Sequence, residues 1–156
     1  PQRIATAAVK VEGATDPLMF ADPAKLLWAS RLGKTVSNLA QSYRFSVIGG
    51  FLNGPLRTDP ADQNFPDISD LVAQGHRQDL RGAACLASQS ADRTAALRHL
   101  DLTALRRAAH DLGALGYAIA HTGSAHALLF APRHAPAHTA LRAYGFTHTL
   151  SFETSQ

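Results

Sequence analysis

The chain has a single cysteine, Cys85, among 156 residues. One thiol excludes an internal disulfide framework and any zinc or iron–sulfur site built on several thiolates, and it fits a reducing compartment. Charge is scarce as well: only 17% of residues are Asp, Glu, Lys or Arg, which argues against a disordered or acidic tail-like protein. No apolar run approaches the ~18 residues of a membrane-spanning helix. The first thirty residues also lack the charged-then-apolar order of a secretory signal. A cytoplasmic protein that does not enter the membrane is expected.

What is present is a core-forming composition, 46% hydrophobic, in a chain the length of one domain. A single domain over residues 1–156 is therefore predicted, with a leading segment 1–42 and an α+β core 43–156. The net charge of +3 is spread along the chain. Residues 1–78 hold eight basic against seven acidic side chains (+1), and residues 79–156 hold seven against five (+2). Nucleic-acid binders concentrate Lys and Arg on one face. The nearest approach here is Arg106-Arg107, which reads as a helix surface, so no nucleic-acid partner is expected. The chain opens on Pro1 rather than methionine, and a processed chain or a fragment of something longer is the expectation.

Periodicity places the elements. Ile4, Ala7, Ala8 and Val11 share one helix face, predicting a buried first helix that breaks at Glu12-Gly13-Ala14-Thr15-Asp16-Pro17. Extended runs follow at 24–30, 34–39 and 43–51, the first two joined as a hairpin by Arg31-Leu32-Gly33-Lys34 and the third ending at Gly49-Gly50. Residues 51–66, with Pro55, Pro60 and Pro66, are loop. Helices are predicted over 67–74, with Ile68, Leu71 and Val72 inward, and over 78–97, with Ala83, Ala84, Ala87 and Ala91 allowing close packing. A third begins after an Asp101 cap, with Leu102, Leu105, Ala109 and Leu112 as its buried stripe. Two short strands then flank His121-Thr122-Gly123-Ser124. A helix over 135–144 and a strand over 146–152 finish the chain. This order predicts an α+β fold with a mainly antiparallel sheet and helices on one face, the elements from Tyr43 onward fitting a split β-α-β arrangement of ferredoxin type.

Three places could carry chemistry. The Gly123-Ser124 loop permits close backbone approach, and its amides could face an anion, although a glycine between two strands is also an ordinary turn. No Walker-type or dinucleotide-binding glycine pattern accompanies it. Asp16 is a loop carboxylate that could orient or deprotonate a hydroxyl, or merely bond its own backbone. Among eight histidines, His134 and His138 stand four apart and His121 and His126 flank the Gly-Ser loop. No carboxylate joins them at ligand spacing and Pro136 interrupts the first pair, so no metal site is expected. A Ser124–His–Asp triad lacks the nucleophile-elbow pattern. Cys85, in an Ala-rich helix, reads as a small core residue.

In this order the residues resemble the carboxy-terminal part of a GHMP-type small-molecule kinase, most nearly the L-threonine kinase branch that serves cobalamin side-chain synthesis. Leu115-Gly116 through Phe130 is similar to that branch's third motif. Gly13-Ala14-Thr15-Asp16 followed by Met19-Phe20 is similar to its "EPTD-x-x-MF" segment. Leu80 to Ser88 resembles the "IGRAATLSA" helix between them. The resemblance implies ATP- and Mg2+-dependent phosphorylation of a hydroxyl on a small molecule such as threonine. It makes Asp16 the catalytic carboxylate and Gly123 and Ser124 the support of the phosphate-binding region, with Thr15, His121 and Thr122 beside them. The family's Gly/Ser-rich ATP loop does not occur in the chain, and Gly13 and Ala14 replace the Glu and Pro of the aspartate motif. Arg98-His99-Leu100 stands where the family has "PKP", and Ala127 where its third motif ends in Gly. The expectation is a kinase part that is inactive alone, with a missing amino-terminal half as partner and self-association through the face that half would cover. A non-catalytic ligand-binding or assembly module of the same fold is the alternative.

Overall fold

The computed structural model describes residues 1–39, 41–54, 59, 62, 64–75, 78–120 and 122–154. The chain forms two compact units, one of Pro1–Ser42 with Thr58–Asn64, the other of Tyr43–Arg57 with Phe65–Ser155.

The first unit starts with helix α1 (Gln2–Glu12), closed by Gly13 in a left-handed conformation, φ 75°. A 3₁₀ turn (Pro23–Lys25) leads to β1 (Leu26–Ala29), which pairs antiparallel with β2 (Lys34–Asn38). The hairpin is the predicted one, and Gly33 takes the positive φ its turn needs. Gly33 also lies close against α1, where an added Cβ would stand 2.9 Å from Val9 Cγ2. The predicted buried face of α1 is corrected: Ala5 is buried, whereas Ile4 and Val11 are 62% and 81% exposed. A periodic apolar stripe shows which residues share a face and not whether anything covers it.

The second unit is a mixed α+β assembly on a four-stranded antiparallel sheet. Its elements are β3 (Ser46–Phe51), α2 (Ser69–Gly75), α3 (Leu80–Arg98), α4 (Thr103–Asp111), β4 (Gly116–Ile119), β5 (Ala125–Phe130), a 3₁₀ helix (His138–Tyr144) and β6 (Thr147–Glu153). The strand order is β4-β5-β3-β6, so β3, first in sequence, lies between the two strands reached last. The Gly49-Gly50 pair sits inside β3 rather than at its end. An added Cβ would stand 2.8 Å from the His126 carbonyl oxygen at Gly49 and 2.7 Å from that of Thr147 at Gly50, so only glycine lets the three backbones approach this closely.

Alternation along the strands sorts the core into two clusters. Ile48, Leu128 and Phe130 pack with Leu102 and Leu105 before and in α4, and with Leu141 and Phe146. Val47 and Leu129, one residue out of phase, pack with Phe45 and with Ala84 of α3. Helix α3 serves both clusters, Ala84 in one and Ala95 in the other, while α4 packs only on the Ile48 face, so helices meet both faces of the sheet and the expectation of helices on one face is corrected. Gly116 on β4 meets it closely, since a side chain there would run into the Ala84 carbonyl.

Local chemistry sets the ends. Asp79 caps α3 by accepting from the Gly82 amide at 2.7 Å. Asp101 takes the Thr103 amide at 2.8 Å, one residue ahead of the cap position. The helix predicted over 135–144 is corrected to a 3₁₀ helix that starts only at His138. Cys85 is exposed on α3, which corrects its reading as a core residue.

Candidate functional site

The aspartate loop belongs to the first unit. Its backbone is tied to the β1–β2 hairpin: the Thr15 amide donates to Ser30 O at 3.0 Å, and Trp28 Nε1 donates to Thr15 O at 2.6 Å. Arg31 Nη1 donates to Gly13 O at 3.3 Å, and Phe20 stacks edge-on against Trp28 at 5.2 Å. Four anchors on Gly13-Ala14-Thr15 and on the following turn leave Asp16 presented to solvent. An exposed carboxylate on a fixed backbone can accept a proton or a hydrogen bond from an incoming hydroxyl.

The Gly-Ser loop joins β4 to β5 in the second unit. The Gly123 amide donates to Ala120 O at 2.8 Å, closing a turn in which Gly123 has φ 79°. A side chain there would also strike Leu100 Cδ1. Ser124 is buried, its hydroxyl 3.1 Å from that of Thr122, and its carbonyl accepts from the Leu52 amide at 3.3 Å. His121 lies outside the described residues.

His126 completes the loop's fastening. Its Nδ1 lies 2.9 Å from Ser124 O, and since a carbonyl only accepts, Nδ1 carries the proton and Nε2 is left as an acceptor. Burial pushes this imidazole below its ordinary value of 6.5, against a smaller opposing effect of the Ser124 bond. The ring meets Phe146 edge-on at 6.1 Å. The sequence shows His126 only as a flanking residue; the structure makes it the neutral post on which the loop hangs.

A concavity of about 350 Å³ opens on the sheet face that carries Val47 and Leu129. Its floor is built of small residues from three strands, Gly49, Ala118, Ala125 and Ala127, with Phe51, His148, Leu150 and Phe152 around them. Phe51 and His148 stand edge-on at 6.2 Å. Sequence reading misses this feature because each floor residue is unremarkable alone and only the strand order brings them together. Among the described residues no group of three His, Cys, Asp or Glu side chains could hold a metal. His134 and His138 turn elsewhere, to Pro132 O at 2.7 Å and Thr149 Oγ1 at 2.9 Å. No helix among the described residues is long and apolar enough to cross a membrane.

Comparison with known families finds no family model that matches the chain, and comparison with curated proteins finds no match.

Proposed function

We propose that the chain is the carboxy-terminal part of a GHMP-type kinase that phosphorylates a hydroxyl on a small metabolite such as threonine. On this reading the second unit is a split β-α-β module of ferredoxin type. The observation that carries the reading is the sheet order β4-β5-β3-β6, all antiparallel, in a unit whose chain order is β3-α2-α3-α4-β4-β5-3₁₀-β6. Two crossovers, β3 to β4 past β5 and β5 to β6 past β3, support that reading, the second running through a 3₁₀ helix where the module has an α-helix. In support of the reading, Leu80 to Ser88 lies on α3, and the described residues between Leu115 and Phe130 form β4, β5 and the turn between them.

Asp16 is the carboxylate that orients the acceptor hydroxyl or takes its proton, and Thr15 holds its backbone against the hairpin. Gly123 and Ser124, with Thr122, brace the phosphate-binding region rather than cradle phosphate themselves, and His121 joins them on the resemblance alone. The Gly123 amide is spent on Ala120 and the Ser124 hydroxyl is buried against Thr122. These residues do not fit direct contact with ATP or its Mg2+. Those contacts fall to a Gly/Ser-rich loop in an amino-terminal half, and catalysis of this kind rests on positioning and charge.

The test is threonine-dependent ADP release from ATP and Mg2+. Residues 1–156 alone are expected to give background turnover, and residues 1–156 joined to what their gene encodes ahead of Pro1 are expected to turn over. Robust turnover by residues 1–156 alone overturns the division of labour. The open apolar concavity favours one second reading, a non-catalytic module of the same fold, which predicts no turnover from either chain.

A further inference from the structure

The outer strand of the sheet is unusual in what it leaves uncovered. β6 is an edge of the four-stranded sheet, it runs seven residues, and six of the seven are exposed. Leu150 and Phe152 are 50% and 52% exposed on the face that continues into the concavity. Proteins commonly blunt such an edge with lysine or proline, and Thr147 to Glu153 contains neither. A bulge at His148, φ 49°, ends the regular part of the strand.

The free side of β6 has a definite hydrogen-bonding phase. The Thr154 amide donates to Phe45 O at 2.9 Å, so Thr154, and with it Phe152 and Leu150, directs its backbone groups toward β3. Ser151 and Glu153, half a period away, direct theirs outward, as does Thr149 beyond them. From this geometry we infer that β6 pairs with β6 of a second copy of the chain, antiparallel about a two-fold axis at Ser151, joining two sheets into one of eight strands.

That register is self-complementary at every position. Ser151 meets Ser151 of the second copy as a hydrogen-bonded pair, and Glu153 meets Thr149, again through outward-facing backbone groups. Leu150 meets Phe152 twice, at the non-hydrogen-bonded positions where side chains approach most closely, on the apolar face. The one charged side chain of the strand, Glu153, never opposes itself. It stays with the Ser46 hydroxyl and with Arg44 Nε at 3.8 Å on its own chain. A shift by one residue would set Leu150 against Glu153 and Ser151 against Phe152, losing both the hydrogen-bonding phase and the apolar match.

Sedimentation of residues 1–156 up to ~100 µM tests this, the range in which a dimer of micromolar Kd is well populated. A dimer is expected, and Ser151→Pro, which removes an amide that β3 does not use, is expected to sediment as a folded monomer. The register is read separately by oxidising Ser151→Cys in a Cys85→Ser background. Hydrogen-bonded antiparallel pairs stand ~5.5 Å apart at Cα, within disulfide reach, so a cross-linked dimer is expected. Glu153→Cys, whose counterpart is four residues away along the strand at ~13 Å, is expected to remain uncross-linked. A monomer throughout the range overturns the inference and leaves the edge to an unlike partner. A dimer that Ser151→Cys fails to cross-link, or that Glu153→Cys cross-links equally well, overturns it too.

Discussion

Gly123 and His126 show how little of the Gly-Ser loop is free. The glycine has a positive φ that strains any side chain, and an added Cβ would in addition push the tip of Leu100 aside. Gly123→Ala is expected to destabilise the second unit by about 1–3 kcal/mol, through strain and a displaced Leu100, as read by urea unfolding. The histidine predicts a pH dependence. Its folded pKa lies below the 6.5 of the free group, so the unfolded chain takes up the proton more readily. Its contribution is therefore fully present above 6.5 and is lost as the pH falls through that value toward the lower folded pKa. His126→Gln is expected to flatten the loss of stability that sets in as the pH falls through 6.5; an unchanged slope would place that titration elsewhere.

At the scale of elements, α2 is held to α3 by a two-pronged ion pair, Arg93 Nη1 and Nη2 to Asp70 at 2.5 and 2.6 Å, with Nη1 also donating to Asp67 O at 2.8 Å. The Arg93 guanidinium pulls the Asp70 carboxyl from 3.8 down to about 2. A depressed acid stabilises the fold above its unfolded pKa, so this contribution is present above 3.8 and disappears between 3.8 and about 2. Asp70→Asn is expected to lower the melting temperature at neutral pH, by a margin that shrinks below pH 3.8 and closes as the pH falls through about 2, followed by circular dichroism.

Element types and order can be read from the sequence because their signals are local. The β1–β2 hairpin follows from Gly33, and α4 follows from its Leu102, Leu105 and Ala109 stripe. Three features cannot be read this way. The burial of α1 depends on what covers it, the 3₁₀ form of 138–144 shares the apolar spacing of a short α-helix, and the place of β3 between β5 and β6 rests on pairings across about a hundred residues, which periodicity does not encode. The apolar concavity is out of reach for that last reason. Asp16, Thr15, Thr122, Gly123 and Ser124 stand out in the sequence itself, while the role of His126 needs its bond to the Ser124 carbonyl.

The molecule as a whole consists of two units with different parts to play in the proposed reaction. The first unit offers the exposed Asp16 on a backbone fixed to a hairpin. The second offers a closed loop, a sheet with one open edge and an apolar concavity. The most direct test of the kinase reading is threonine-dependent ADP release by residues 1–156 joined to their upstream coding region, compared with the same chain carrying Asp16→Asn. The prediction is turnover that the substitution lowers by about 10²-fold or more, the usual weight of a positioned acid–base group, with circular dichroism unchanged. Threonine-dependent turnover that Asp16→Asn leaves intact, or none from the parent chain, would contradict it.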